Sequence, residues 1–348
     1  MRSVQTLDAA SPSGHLPAPE ARRSAVREGI TYVLPLRREA LPSHDELPAY
    51  LASLLPFVDE VVVVDGSPSD VFAAHARTFP AAVRHLPVDP SQKCRNGKVA
   101  GVRTALRAAH GERVVIADDD VRYDRDTLAR VVAGLDDADV VRPQNVFVPM
   151  PWHAYLDSGR SLIARATGGD WPGTLAIRRS SYLRVGGYDG DVLFENLELV
   201  RTLRAVGGYE RRLDDTFVVR RPPSAAHYLR QRVRQAYDEF ARPARLGTQL
   251  AFAPLALIAA RIAGSRGVAV LALIAIATAE AGRRRSGGTT AFPLLASLLA
   301  PCWIFERSFT SWLAVLARLR GGVRYGNARV LRAATPARRL RRLLGTIA

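Results

Sequence analysis

The sequence predicts an α/β domain with a mostly parallel sheet flanked by helices, followed by an all-α hydrophobic region. Three observations carry this. Short apolar runs alternate with helical patterns from Ile30 onward. The run Val61-Val62-Val63-Val64 is apolar at every position, as a strand covered by helices on both faces must be. After Ala241 the texture changes to apolar stretches divided by short basic or Gly-rich links. A chain of 348 residues has room for one large domain and a smaller second region. The expected division is a disordered N-terminal segment 1–28, the α/β domain 29–243, hydrophobic membrane helices 244–320 and a basic C-terminal tail 321–348.

In order along the chain, Ile30 to Leu34 reads as a buried strand stopped by Pro35. Leu47 to Leu55 has helical spacing, and Glu60 to Val64 is a central strand ending in the turn cluster Asp65-Gly66-Ser67-Pro68-Ser69-Asp70. Val83 to Leu86 gives a third strand. Val99, Val102, Leu106 and Ala109 recur at helical spacing up to Gly111. Arg113 to Ala117 is a further strand, running into Asp118-Asp119-Asp120. Asp126 then stands where a helix over Thr127 to Leu135 needs its cap. Alternating elements of this length imply a parallel sheet with crossover helices.

The second region contains four apolar stretches, Leu246 to Ala260, Val268 to Ala279, Ala291 to Phe305 and Ser311 to Ala317. Each is shorter than the ~20 residues of a full span. They leave little polar surface to cover them, which favours short spans, re-entrant helices or interfacial helices in a membrane. Arg283-Arg284-Arg285 and the arginines from Arg318 onward are positive-inside signals. Four crossings would place the α/β domain, the Arg283 loop and the C-terminus together on the cytoplasmic side of the cell membrane. The net charge of +16 needs a partner that tolerates cations. The basic residues concentrate beside the apolar stretches with no aromatic-interleaved basic patch, so a membrane is expected and nucleic acid is not. Cys94 and Cys302 suggest no disulfide, and no secretory signal is expected at the N-terminus.

In an open parallel sheet, ligands bind beyond the carboxyl ends of the strands. Asp65 and Asp118 both stand there. Three adjacent carboxylates repel one another, and the Asp-x-Asp spacing of Asp118 and Asp120 suits one hard divalent cation, Mg²⁺ or Mn²⁺, bound through oxygen. The seven histidines show no metal-ligand spacing, and His153 beside Trp152 reads as structural.

The segments Val61 to Asp70, Asn96 to Leu106, Asp118-Asp119-Asp120, Gly173 to Arg179, Val185-Gly186-Gly187-Tyr188 and Phe194 to Leu199 resemble, in order and spacing, the motifs of family-2 glycosyltransferases, which have the GT-A fold. The resemblance spans roughly 29–240. It implies that Asp65 binds the base or ribose of a nucleotide-diphosphate sugar, with Gly66, Ser67 and the Pro35-Leu36-Arg37 loop beside it. Lys98 and Asp119 would lie near the nucleotide and diphosphate, Asp118 and Asp120 would act through the metal, and Gly173 and Thr174 would shape the donor–acceptor junction. The family has Glu-Asp where this chain has Glu195-Asn196, and its second acid is the usual base; an amide cannot serve. Glu195 is the nearest replacement, with Asp191 and Glu198 as weaker candidates. Gln231-Arg232-Val233-Arg234-Gln235 resembles the family's Gln-x-x-Arg-Trp motif, typical of members that continue into membrane helices, with Gln235 in place of Trp. Arg234 would neutralise the leaving diphosphate and Gln231 would bond the acceptor.

The resemblance implies an inverting, metal-dependent, hexosyltransferase-like enzyme acting on a lipid-linked or glycan acceptor at the membrane. Asn196 and Gln235 motivate a second expectation, a non-catalytic membrane scaffold with a degenerate transferase domain.

Overall fold

The computed structural model describes residues 29–326 and 328–345. The expected segment 1–28 lies outside the described residues. Eight strands form one sheet: β1 (Ile30–Leu36), β2 (Glu60–Asp65), β3 (Val83–Pro87), β4 (Arg113–Ala117), β5 (Val121–Arg122), β6 (Val140–Phe147), β7 (Thr174–Arg178) and β8 (Glu210–Arg220), in the order β3-β2-β1-β4-β7-β6-β8-β5. The four strands β3, β2, β1 and β4 are parallel, as expected. Beyond them the sheet is mixed, because β7 runs antiparallel to both β4 and β6, and β5 antiparallel to β8. The expectation of crossover connections throughout fails there, since β5 to β8 lack an all-apolar run.

The sheet is covered on both faces. Tyr32 and Leu34 of β1 point to one core with α1 (Leu47–Leu54) and α4 (Arg125–Ala133), while Val33 points to the other with α3 (Gly97–Ala108). Alternation of side chains along a strand produces the two cores from one run. Helix α2 (Ser69–Thr78) connects β2 to β3. Two local expectations are corrected. β1 continues through Pro35 to Leu36; its pairing with β4 ends at Val33, so the missing N–H removes no bond on that side. The α4 cap is Asp124 rather than Asp126: its side chain accepts from the Thr127 N–H in a capping box.

Further helices are α5 (Trp152–Thr167), α6 (Arg179–Arg184), α7 (Glu195–Ala205), α8 (Ala225–Tyr237), α9 (Pro243–Arg284), α10 (Gly288–Ala291), α11 (Leu294–Leu298), α12 (Ala300–Leu319) and α13 (Ala337–Leu344). The first two apolar stretches form α9, which doubles back at Gly264, where φ is +60°. A Cβ on Gly267 would lie 2.4 Å from the Ala259 carbonyl oxygen, a contact that only a hairpin permits. The first arm packs on α12, with Gln249 bonded to Ser311 and the Trp312 indole donating to the Leu250 carbonyl. The second ends on α5, Gly282 against Leu162. The other two stretches do not form separate spans. Ala291 to Phe305 is broken at Pro293 and Leu299, and Ser311 to Ala317 is the middle of α12. Among the described residues, one helix, α9, is long and apolar enough to cross a membrane. The basic segment after 320 folds back as strands β9 (Val323–Tyr325) and β10 (Ala328–Val330), then α13, with Val330 and Ala333 packed beside Leu197 and Tyr237. Cys94 and Cys302 are free.

Candidate active site

β4 delivers Asp118 to the end of the sheet, where its N–H donates to the Gly173 carbonyl at 2.9 Å. Two cations clamp the acidic run from opposite sides. Lys98 Nζ lies 2.5 Å from Asp118 Oδ1 and 2.6 Å from Glu195 Oε1. Arg220 donates Nε to Asp120 Oδ2 at 2.7 Å and Nη2 to Asp118 Oδ2 at 3.3 Å. Asn96 caps α3 by accepting from the Lys98 N–H, and its amide donates to the Val192 carbonyl just before α7. That one side chain holds Lys98 and Glu195 within reach of each other. Asp119 points outward, 3.5 Å from Arg38.

Three carboxylates thus face two cations, and the acids are not equivalent. Burial works against ionisation of Asp118, but Lys98 and Arg220 outweigh it and hold its carboxyl below the usual range. Burial, aided by the Asp118 charge and opposed by Arg220, pushes Asp120 up to about 6. Asp118 and Glu195 in turn raise Lys98 despite its burial, so it stays charged. Asp120 Oδ1 is buried without a partner.

Gly173 makes the close packing possible. A Cβ there would stand 2.6 Å from Asp118 Oδ2 and 3.1 Å from the Arg220 guanidinium carbon. Gly173→Ala is expected to destabilise the fold by about 1–3 kcal/mol through overpacking. The check is the urea midpoint, with Gly66→Ala as control, since a Cβ there meets nothing closer than 3.4 Å.

The other expected site residues have the following surroundings. Asp65 is 2% exposed and turned inward. Its Oδ1 accepts from the Ser67 N–H, and its Oδ2 meets His75 Nδ1 at 2.7 Å and His85 Nε2 at 3.1 Å, so its carboxylate holds the turn. Gly66 donates to the Leu36 carbonyl, and Ser67 Oγ accepts from the Arg38 N–H, binding that turn to the end of β1. Pro35 lies within β1, against Gly101, and not in an open loop. The buried Thr174 hydroxyl donates to the Ile116 carbonyl and meets Tyr123 at 2.9 Å. Asn196 is buried and donates to the Pro172 carbonyl, which positions Gly173. Glu198 is buried and accepts from the Thr335 N–H at 2.6 Å, and Asp191 accepts from the Arg95 N–H. Neither competes with Glu195 for the acidic centre. Gln231 bonds to His227. The charge of Arg234 is felt by Asp118, its guanidinium lies 5.0 Å from the Tyr325 ring, and its Nε is buried without a partner. Gln235 accepts from Arg232. His153 is structural, bonded to the Pro223 carbonyl.

Sequence spacing missed Arg220, Tyr325 and the pair His75 and His85. Each stands on an element remote in the chain from its partner, and no local pattern marks it. Asp65, His75 and His85 do meet, from three elements, despite spacings that suggest no cluster.

Residues 33–183 match the family model described as glycosyl transferase family 2. No curated protein matches the chain. Among solved structures, the mannosyltransferase PcManGT from Pyrobaculum calidifontis, in complex with GDP-Man and Mn²⁺, is 22% identical over 83% of this chain and 88% of that one, with a TM-score of 0.47. Glucosyl-3-phosphoglycerate synthase from Mycobacterium tuberculosis, in complex with Mn²⁺, uridine-diphosphate and phosphoglyceric acid, is 19% identical over 57% of this chain and 73% of that one, with a TM-score of 0.40. The bifunctional IspDF from Campylobacter jejuni is 11% identical over 53% and 49%, with a TM-score of 0.34.

Proposed function

We propose that the chain, whose residues 33–183 match the glycosyl transferase family 2 model, is an inverting, metal-dependent glycosyltransferase moving a sugar from a nucleotide-diphosphate donor to a lipid-linked or membrane-proximal acceptor. The observation that carries this reading is the acidic centre of Asp118 and Asp120, gripped by Lys98 and Arg220, with Glu195 on the far side of Lys98. The residues fit a hard divalent cation. The donors are carboxylate oxygens, Asp120 Oδ1 is an orphaned buried acceptor, and Gly173 keeps the space clear. Asp118 and Asp120 would hold Mg²⁺ or Mn²⁺, which when bound neutralises charge on a diphosphate.

The other steps fall to the chain itself. Arg234 and Arg220 attract the phosphoryl oxygens of the leaving group. Glu195 takes the proton of the acceptor hydroxyl; Lys98 engages Oε1, leaving Oε2 to receive it. Lys98 also holds Glu195 in place through that ion pair, so it is a positioning residue. Asn196, standing where the family has its usual base, serves the backbone instead.

Attachment to a membrane rests on α9, the helix among the described residues that is long and apolar enough to cross one. Only 11% of its most apolar stretch is buried, which a core helix would not tolerate. A nucleotide-sugar screen with Mn²⁺, read by thermal stabilisation and transfer to a lipid extract, tests the reading. Glu195→Gln is expected to keep donor binding and lose about 10²- to 10⁴-fold in transfer, the usual worth of a general base. Undiminished turnover would remove Glu195 from the role.

A further inference from the structure

A cavity of about 420 Å³ opens between α8 and the β9–β10 hairpin, lined by Arg230, Gln231, Val233, Arg234, Arg324 and Tyr325 among others. Neighbouring arginines are neutralised: Arg232 pairs with Asp157 and Glu306, Arg220 with Asp118 and Asp120, and Arg332 with Asp189. Arg230, Arg234 and Arg324 have no carboxylate within ion-pair distance among the described residues. Arg234 additionally has its buried Nε unpartnered. Three like charges around one cavity repel, and an anion seated between them would relieve that. The cavity is also placed for substrate. Its wall residue Tyr325, half-buried, also feels the charges of Glu195, Arg234, Lys98 and Asp118, so the cavity lies beside the acidic centre.

We propose that this cavity binds a phosphate ester group of the acceptor, and that Arg324, delivered by the C-terminal hairpin, helps select it. The inference rests on the transferase reading and names its acceptor class. A phosphate ester offers close to two negative charges and three acceptor oxygens, which planar guanidinium forks match. The donor diphosphate has its own partners in Arg220 and Arg234, with Asp118 and Asp120 acting through the cation, so Arg230 and Arg324 are left for a second anion. The ester has two possible sources. A soluble molecule could enter from solvent, or a lipid headgroup could enter from the side where α8 packs on α12 and the exposed Phe305, Phe309 and Trp312 begin.

The test uses the full chain without divalent cation or donor. Glycerol phosphate is titrated calorimetrically, and phosphatidylcholine vesicles with and without phosphatidic acid are compared by co-sedimentation. The expected result is saturable binding of one probe, weakened about tenfold or more by Arg324→Ala, the scale of losing a charged hydrogen bond. Arg324→Lys should recover part of it, and Arg125→Ala, on remote α4, should change nothing. Preference for glycerol phosphate assigns a soluble ester, and preference for phosphatidic acid a lipid. Failure to bind either probe, or equal losses in Arg324→Ala and Arg125→Ala, overturns the proposal. Nucleotide-sugar stabilisation with Mn²⁺ on the same preparation separates the two readings. Its absence beside intact phosphate binding sinks the transferase mechanism, whereas its presence without phosphate binding sinks only the cavity.

Discussion

Asp120→Asn is expected to lower metal-dependent sugar transfer by about 10³-fold, the upper range for removing one pre-organised electrostatic group, while making the cation-free protein more stable above pH 6. The two effects have one cause. Asp120 is pushed up to about 6, chiefly by burial and by the neighbouring Asp118 charge. A carboxyl whose folded value is raised above its unfolded one binds its proton more tightly in the fold. It therefore loses stability as pH climbs through that window, and the loss is complete above about 6. The neutral amide keeps the shape and escapes the loss. The same titration governs cation binding. A cation must displace the proton, so apparent Mn²⁺ affinity should fall by about tenfold per pH unit below 6. Asp118 is already held ionised by Lys98 and Arg220 and adds no such step near neutrality. Urea unfolding at pH 5 and 7.5, with transfer assays across a Mn²⁺ series, checks each part. Full metal-dependent activity in Asp120→Asn would end the assignment of this residue as a cation ligand.

The double variant Ile258→Asp with Leu273→Asp should release the protein from membranes without touching the donor site. Both side chains are exposed on the arms of the α9 hairpin, together with Leu255, Leu257, Ile262 and Val270. Ile262, near the turn at Gly264, is 81% exposed. A charge at the centre of an inserted helix costs about 2.5–3.5 kcal/mol, so two shift partitioning by about 10⁴-fold. Each arm has about 20 residues and so reaches about 30 Å, and the hairpin returns both ends to the body of the protein. The basic run Arg283 to Arg285 then stays on the side of the α/β domain. Flotation with phosphatidylcholine vesicles is the measurement: wild type should rise with lipid, and the variant should stay below. Unchanged flotation would mean that the hairpin is not what attaches the chain. Preserved nucleotide-sugar stabilisation in the variant would show that the domain is still folded.

What could be read from residues alone was whatever depends on neighbours in the chain. The all-valine core of β2 announces a strand covered on both faces, and the run Asp118 to Asp120 after an apolar strand announces an acidic sheet end. The first two apolar stretches announce helices, because polarity and period are local properties. Their folding into a hairpin at Gly264, the breaking of the later stretches at Pro293 and Leu299, and the return of the basic C-terminus to the site were not legible. Each depends on packing against α5, α7, α8 or α12. Side-chain partnership is still less local. Asp65 has the sequence context of a ligand-facing acid, yet His75 and His85 turn it inward; Asn196 looks like a failed base, yet it holds the Pro172 carbonyl. Arg220 carries no mark of function and sits about a hundred residues from the aspartates that it clamps. Local residue order fixes which strand end is acidic and where the apolar helices begin. Which cations neutralise that acid, and which carboxylate stands opposite, follows from the folded arrangement, because charge pairing is set by distance in space.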